Sequence, residues 1–542
     1  MFPSDLNLPP KFSEWRRIDS RRTQYDAIID AASSDKRFII LNAPTGVGKS
    51  TIYMGLAAML GGRTLVLTDS KNLQDQLYRD FAPMGLVEIK GQSNYGCLYF
   101  DDGRRTLPGC DEGPCHASIQ CNYRDKGCRY YDAVRRAAGS SLVIANYAYW
   151  MNVQKFADPE SIGVFDRIIL DEAHNAASTL ADFVKVTIDR AHVFKLLGLE
   201  PLRNADIDAW VEWGGEALRV CNDRIEAACA SASAYRESVA IVRRLKSLRG
   251  ELQDLVWAHT WRRTDAPNIP AWIPGTATDW IIEETPTMAL FQPVWATAYS
   301  EKYLFGGIPS VVMVSATVTP KDAGFLGIPP SYYDYFQYPS PFPLSTRPVY
   351  IVPTARVGRS MSVGETRIWL SRIDQIIAKE AVDRGVKGII HARSYERARQ
   401  IFAASEHKDL LMIHDPSNTR KTVEQFKRAS GAAVLISPAV STGHDFPLDE
   451  CRFQIIAKVP FIDNRPAVIQ ARAKSDRKYL DYIAMVELIQ MAGRGVRSES
   501  DFCNTYIIDD NFAAWFFPRN RDLVPKWFRS AIRKVRLLSE VA

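Results

Sequence analysis

Residues 43–50 read Ala-Pro-Thr-Gly-Val-Gly-Lys-Ser, a turn with two glycines followed by a lysine and a hydroxyl. Those types in that order suit a polyphosphate: backbone N–H groups around Gly46 and Gly48 can close on phosphate oxygens, because glycine lets the chain turn and approach. Lys49 can then reach the outer phosphates, and the Ser50 hydroxyl can ligate Mg²⁺. Pro44, Thr45, Val47 and Thr51 complete the candidate loop, which departs from the strict pattern only where Ala43 replaces glycine. Asp-Glu-Ala-His at 171–174 offers the second half: Asp171 to hold Mg²⁺ and Glu172 to orient and deprotonate the attacking water. Late in the chain, QMAGRGVR brings Gln490, Arg494 and Arg497; the two arginines, three apart, are neighbours if helical and could meet charge leaving with a γ-phosphate. The chemistry implied is Mg²⁺-dependent hydrolysis of ATP or a similar triphosphate.

The surrounding elements suit that chemistry. The run RFIIL before the loop is strand-like and MGLAAML after it suits a helix, the context a phosphate loop requires. TLVLT, SLVIAN and FDRIILDEAH read as further buried strands, the last carrying Asp171 and Glu172 to a strand's C-terminal edge. Strand-like runs vanish from about 176 to 285, where Ile241, Leu245, Leu248, Leu252 and Leu255 recur at helical intervals. They return at SVVMVSAT and continue through PVYIVP, VKGIIHA, AAVLISP, RFQIIAKVP and NTYIID, so a second α/β domain is expected over 320–542. The C-terminal PKWFRSAIRKVRLL reads as a basic amphipathic helix packed through Trp527, Ile532 and Leu537.

The 542 residues, 46% hydrophobic and 24% charged, exclude a lone peptide module and a disordered chain. A net charge of +6 spread over this length permits a polyanionic partner without arguing for one. No signal-like or membrane-length apolar run is present, and a cytoplasmic, non-membrane protein is expected. Five of the nine cysteines, Cys97, Cys110, Cys115, Cys121 and Cys128, crowd into one short stretch, which in a reducing compartment suggests metal ligation.

Taken in order, APTGVGKS, DEAH, VSAT and QMAGRGVR resemble the superfamily 2 helicases. SNYGC and CRYY, with SPFP and SPAVSTGHDF further on, narrow the resemblance to iron-sulfur DNA helicases of the XPD/DinG type. It implies two RecA-like motor domains, the first built from 1–94, 130–175 and 286–319 and the second from 320–542. An iron-sulfur domain over 95–129 and a helical arch over 176–285 would be inserted in the first. By position, Gln24 and Arg21 match the adenine-reading motif, Thr68, Asp69, Asn146 and Tyr147 match DNA-contacting positions, and Ser315 and Thr317 match the motif coupling hydrolysis to movement. Gly443 and Asp445 match the motif through which the second motor domain contacts nucleotide and DNA. Arg129 follows the last cysteine where the family usually has proline, and the short stretch before Gln24 leaves no room for an N-terminal exonuclease domain.

The resemblance also implies a 4Fe-4S cluster, for which five cysteines compete as four ligands. The resemblance makes Cys97 the first ligand and Cys128 the last, and spacing favours Cys115 and Cys121 between them, with Cys110 the alternative; a Cys₄ zinc site satisfies the same spacing. Tyr95, Tyr99, Tyr147, Tyr149, Trp150, Trp257 and Trp261, with Arg262 and Arg263, are candidates to face single-stranded DNA. The expected activity is ATP-driven 5′-to-3′ movement on single-stranded DNA with separation of forked or tailed duplex, by a monomer, in repair, replication or recombination. A DEAH-type RNA helicase and an ATP-regulated clamp are the alternatives.

Overall fold

The computed structural model describes residues 22–101, 103, 106–117, 119–156, 162–231, 236–263, 279–438, 446–496 and 501–535. Arg21, Gly443, Asp445 and Arg497 lie outside these residues, as do the side chains of Trp261, Arg262 and Arg263.

Two parallel sheets form the frame. The first contains β1 (Phe38–Asn42), β2 (Thr64–Thr68), β3 (Val87–Glu88), β4 (Leu142–Asn146) and β5 (Arg167–Asp171). A three-stranded antiparallel unit, β6 (Val186–Asp189), β7 (Trp280–Glu284) and β8 (Met288–Pro293), follows in the chain, and β9 (Ser310–Ser315) and β10 (Tyr333–Gln337) return to the first sheet. Its strand order is β10-β1-β9-β5-β2-β4-β3. In β1 the side chains alternate between two cores: Phe38 and Ile40 join one cluster, Ile39 and Leu41 the other, as the two-residue period of a sheet covered on both faces demands.

The second sheet comprises β11 (Val349–Ile351), β12 (Gly388–His391), β13 (Leu411–Ile413), β14 (Val434–Ser437), β15 (Phe453–Ile456), β16 (Asn504–Ile507) and β17 (Ile532–Lys534). Its order is β13-β14-β12-β15-β16-β11-β17, every pair parallel. The α/β fold with two RecA-like sheets is thus as expected. Two details differ. β10 pairs with β1 along its whole length, Phe38 opposite Tyr333 to Asn42 opposite Gln337, so the first sheet reaches past the boundary expected at 319. The C-terminal run is not one helix: a single turn, Lys526–Arg529, buries Trp527 and Phe528, and the chain then extends as β17 against β11.

The expected helical region holds two long helices, Ile207–Ser231 and Arg236–Arg263, standing on the β6-β8-β7 unit. Leu245, Leu248, Leu252 and Leu255 are buried in its core, whereas Ile241 in the same row is 48% exposed. The 236–263 helix is pinned to the first motor domain by Asp254, 1% exposed, which takes Lys155 Nζ at 2.5 Å and the Tyr303 hydroxyl at 2.5 Å. Higher up, Val239 and Val242 pack on Ile119 and Arg243 pairs with Asp111 at 2.9 Å, so this helix also touches the cysteine-rich segment. No helix among the described residues is long and apolar enough to cross a membrane.

Candidate nucleotide site and nucleic-acid interface

β1 delivers the phosphate loop, and Ala43 N–H donates to Ser315 O at 3.0 Å, tying the loop to β9. Gly46 and Gly48 sit at φ +79° and +78°, in the left-handed region. A Cβ on Gly46 would lie 2.6 Å from Phe342 and 2.7 Å from Val496 O, and one on Gly48 would lie 2.5 Å from Gln24 Nε2. Lys49 opens the helix Lys49–Leu60, whose unpaired N–H groups and dipole favour an anion in front of them.

β5 ends at Asp171, and the following Glu172 adopts φ +47°. A left-handed residue other than glycine costs about 1–2 kcal/mol, the kind of strain that clusters at functional positions. It turns the chain so that the adjacent carboxylates face different partners. Glu172 Oε1 lies 3.3 Å from Lys49 Nζ, and its Oε2 accepts from Ser315 Oγ at 3.1 Å. Asp171 is buried and accepts from its neighbour's N–H at 3.0 Å, while Tyr53 OH lies 3.4 Å away. Burial, and then the charge of Glu172, pushes Asp171 up to about 7. For Glu172 burial works upward too, but Lys49 leads the opposing interactions and holds it down at about 2. One carboxylate is therefore held ionised, while its buried neighbour is biased toward the protonated form.

A hydrogen-bonded path leaves this pair and crosses to the second sheet. His174 Nδ1 sits 2.7 Å from Ser315 Oγ, Ser315 Oγ is 3.3 Å from Thr317 Oγ1, and Gln490 Nε2 donates to Thr317 Oγ1 at 3.1 Å. Gln490 lies on the helix Tyr479–Ala492, whose C-terminal Gly493 packs so tightly on Thr45 that a Cβ would come within 2.5 Å of it. Arg494, just past the helix end, helps line a cavity of about 410 Å³ with Gly48, Lys49, Ser50, Asp171 and Glu172. Ser50 and Asp171, the expected Mg²⁺ ligands, thus face one space, and Lys49, Glu172, Gln490 and Arg494 share it.

Gln24 donates through Nε2 to Val47 O at 2.6 Å, and its Oε1 is buried without a hydrogen-bond partner among the described residues. An orphaned acceptor beside the loop fits an exocyclic amine of a base. Tyr53, which expectation missed, is fully buried against Asp171 four residues after Lys49 on the same helix face; that spacing was the available signal. His174 and Asn175, which donates to Asp69 at 3.3 Å, were also passed over.

The expected DNA-contacting residues divide. Thr68 is 0% and Tyr147 1% exposed; Thr68 Oγ1 faces Ser70 O and Ala145 O, and Tyr147 OH donates to Asp171 O at 2.9 Å. Both side chains are buried, with their hydroxyls turned toward main-chain oxygens. Asp69 is exposed and also lines the nucleotide cavity, and Asn146 Oδ1 accepts from Tyr149 N at 2.8 Å to cap the next helix. Of the aromatics, Tyr149 and Trp150 are core, Trp257 lies under Lys302 at 4.1 Å, and Tyr99 is exposed.

The cysteine segment is folded around its thiols. The thiols act on one another's ionisation: Cys128 and Cys97 raise Cys110, while burial raises Cys115 and Tyr131 lowers it. A Cβ on Gly113 would lie 3.0 Å from Cys97 Sγ and 3.6 Å from Cys115 Sγ, so the turn closes directly on those sulfurs. Cys97 and Cys110 are buried, and Cys115, Cys121 and Cys128 are half-buried, with Cys121 near enough to Cys115 to raise it. Among the described residues no three His, Cys, Asp or Glu side chains are drawn into a metal-ligating arrangement.

Residues 382–531 match the helicase C-terminal domain family and residues 17–199 the family of the type III restriction enzyme res subunit. The ATP-dependent DNA helicase YoaA of Haemophilus influenzae is 34% identical over 79 residues, 13% of this chain and 12% of that protein. A probable ATP-dependent helicase of Methanocaldococcus jannaschii, MJ0942, is 26% identical over 183 residues, 29% of this chain and 28% of that protein. The matches therefore span under a third of either relative. In fold, a solved XPD helicase aligns over 96% of this chain and 99% of its own at a TM-score of 0.58 and 14% identity. S. tokodaii Xpd4 aligns over 96% and 100% at a TM-score of 0.56 and 14% identity. With two RecA-like sheets and motifs in this order, the chain is similar to helicases: through residues 382–531 to the helicase C-terminal domain family, and in fold to solved XPD helicases.

Proposed function

We propose that the protein is an ATP-dependent DNA helicase that moves 5′ to 3′ on single-stranded DNA and separates forked or tailed duplex. The observation that carries this reading is the path from Lys49 and Glu172 through Ser315 and Thr317 to Gln490, which links hydrolysis chemistry on one sheet to a helix of the other. With ATP and Mg²⁺ in the cavity, Lys49 and Ser50 bind the phosphates and metal with Asp171, Glu172 orients the water, and Arg494 meets the charge that develops. Movement of the second domain then follows the state of the first, and Asn146 and Asp69 stand at the edge along which a strand would run. Gly443, Asp445 and Arg497 keep the roles the family resemblance implies, and Arg21 keeps its place beside Gln24.

The cysteine segment is proposed to hold a 4Fe-4S cluster. The thiol chemistry and the glycine turn against two sulfurs fit such a group. Cys97, Cys115, Cys121 and Cys128 are the proposed ligands, with Cys110, which interacts with Cys97 and Cys128, the alternative. Bound there, the cluster would brace the segment against the arch helix at Arg243 and Val239. A monomer acting in repair, replication or recombination within the cytoplasm completes the proposal.

The test is unwinding of matched duplexes carrying a 5′ or a 3′ single-stranded tail, with protein purified without oxygen. ATP-dependent unwinding from the 5′ tail alone is expected. Activity from the 3′ tail alone, or on RNA in preference to DNA, would overturn the assignment; ATPase stimulated by DNA without unwinding would make the protein a clamp.

A further inference from the structure

The arch contains a second cavity, remote from the nucleotide site and built by three helices. The helix Arg190–Leu197 contributes His192, Lys195 and Leu196, Ile207–Ser231 contributes Arg224, Ala227 and Ala228, and Arg236–Arg263 contributes Glu237, Ala240, Ile241, Arg244 and Leu245. Within each helix these residues recur at three- or four-residue intervals, so each presents one stripe to the same space. Its volume of about 600 Å³ falls within the range of recognition pockets, about 300–1,000 Å³.

The stripes divide into a floor and a rim. Three alanines on facing helices leave the void, and Leu196 and Leu245 line it with aliphatic surface. Ile241 belongs to the apolar row that builds the arch core, yet it is 48% exposed where the other four members are buried. Around this floor stand Lys195, Arg224 and Arg244, with His192 beside them and Glu237 as the lone acid in the lining. None of the three cations has an ion-pair partner among the described residues, whereas the adjacent Arg243 pairs with Asp111 on the opposite side.

We propose that this cavity docks an acidic peptide segment of a partner protein, with one apolar side chain inserted on the alanine floor and carboxylates on the cationic rim. Charge complementarity selects an anionic occupant. The lining then favours peptide over nucleic acid: strand binding uses broad aromatic faces on which bases stack, and no Phe, Tyr or Trp lines this cavity. A small-residue floor with an aliphatic border instead receives a single bulky side chain, the anchor of a helix or extended peptide in a groove. Because Val239, Val242 and Arg243 of the same helix hold the cysteine segment, an occupant here sits directly behind the contact between arch and cysteine segment.

The probe is a fluorescein-labelled synthetic peptide of four aspartates followed by leucine and phenylalanine, titrated with the full chain and read by anisotropy. Binding is expected, weakening as salt rises. The double variant Arg224→Glu/Arg244→Glu should weaken it at least about tenfold. Ala240→Trp, which fills the floor without changing charge, should abolish it, with ATPase and melting temperature as in the parent for both variants. The same peptide with alanines replacing leucine and phenylalanine should bind at least about tenfold more weakly. No binding to the parent, equal binding by the alanine peptide, or binding unchanged in both variants would overturn the proposal. Displacement of the peptide by a single-stranded oligonucleotide whose own binding falls in the same two variants would overturn it in favour of nucleic acid.

Discussion

Replacing Ser315 with alanine tests the link between the two sheets most directly. Its hydroxyl is fully buried, donates to Glu172 at 3.1 Å, faces His174 Nδ1 at 2.7 Å and accepts from Thr317 N at 3.2 Å. A hydrogen bond to a charged group contributes about 1.5–3 kcal/mol. If the bond to Glu172 orients that carboxylate for the attacking water, its loss slows hydrolysis about 10- to 150-fold at 1.36 kcal/mol per decade. The phosphate loop keeps its backbone tie to residue 315, since that bond uses the carbonyl, so the KM for ATP should stay within about twofold. Steady-state ATPase with and without single-stranded DNA, beside a melting curve, separates these quantities. A kcat within twofold of the parent, or a KM raised tenfold with kcat unchanged, would refute the assigned role of the hydroxyl.

Gly46→Ala should abolish nucleotide binding in a fluorescent-nucleotide titration, since the new Cβ meets Phe342 and Val496 O at a φ of +79°. On the proposed 4Fe-4S site, Cys121→Ser should lower bound iron and visible absorbance more than Cys110→Ser, measured on protein prepared without oxygen; the reverse order would put Cys110 among the ligands. Asp254→Ala leaves the buried Lys155 uncompensated and the Tyr303 hydroxyl unpaired, and should cost about 3–5 kcal/mol, read as faster hydrogen exchange along 236–263. Burial pushes Asp322, bonded to Tyr482 across the two domains, up to about 7. Its folded form therefore holds a proton that the unfolded chain releases near pH 4, so the stability it contributes is full below about pH 4 and lost as pH rises through about 7. Asp322→Asn should flatten that part of the melting temperature's dependence on pH between 4 and 8.

Much of the site was legible because its parts are local. A strand, a glycine turn and a helix N-terminus follow one another in 38–60, and an apolar strand ending in two carboxylates needs only seven residues, so short-range pattern carries both. Sequence also carried the order of the motifs and the apolar row of the 236–263 helix.

Other features depend on partners far along the chain. Tyr333–Gln337 is a half-buried strand that becomes part of the first sheet only by lying against Phe38–Asn42, some three hundred residues earlier. The C-terminal basic run looked helical by its own periodicity, but Val349–Ile351 offers an open parallel edge and takes Ile532–Lys534 as a strand. Thr68 and Tyr147 have the polar groups a nucleic-acid contact needs, and only packing shows that both side chains are buried. Spacing does not show either that the turn at Gly113 lies against Cys97 and Cys115, which only the folded segment brings together. Sequence by itself therefore determined which residues can do the chemistry, because residue type and short-range geometry are local properties. Tertiary structure decided which of them share a space: the contact between Gln490 and Thr317 spans 173 residues, and only the docking of one sheet's helix on the other sheet's edge brings it about.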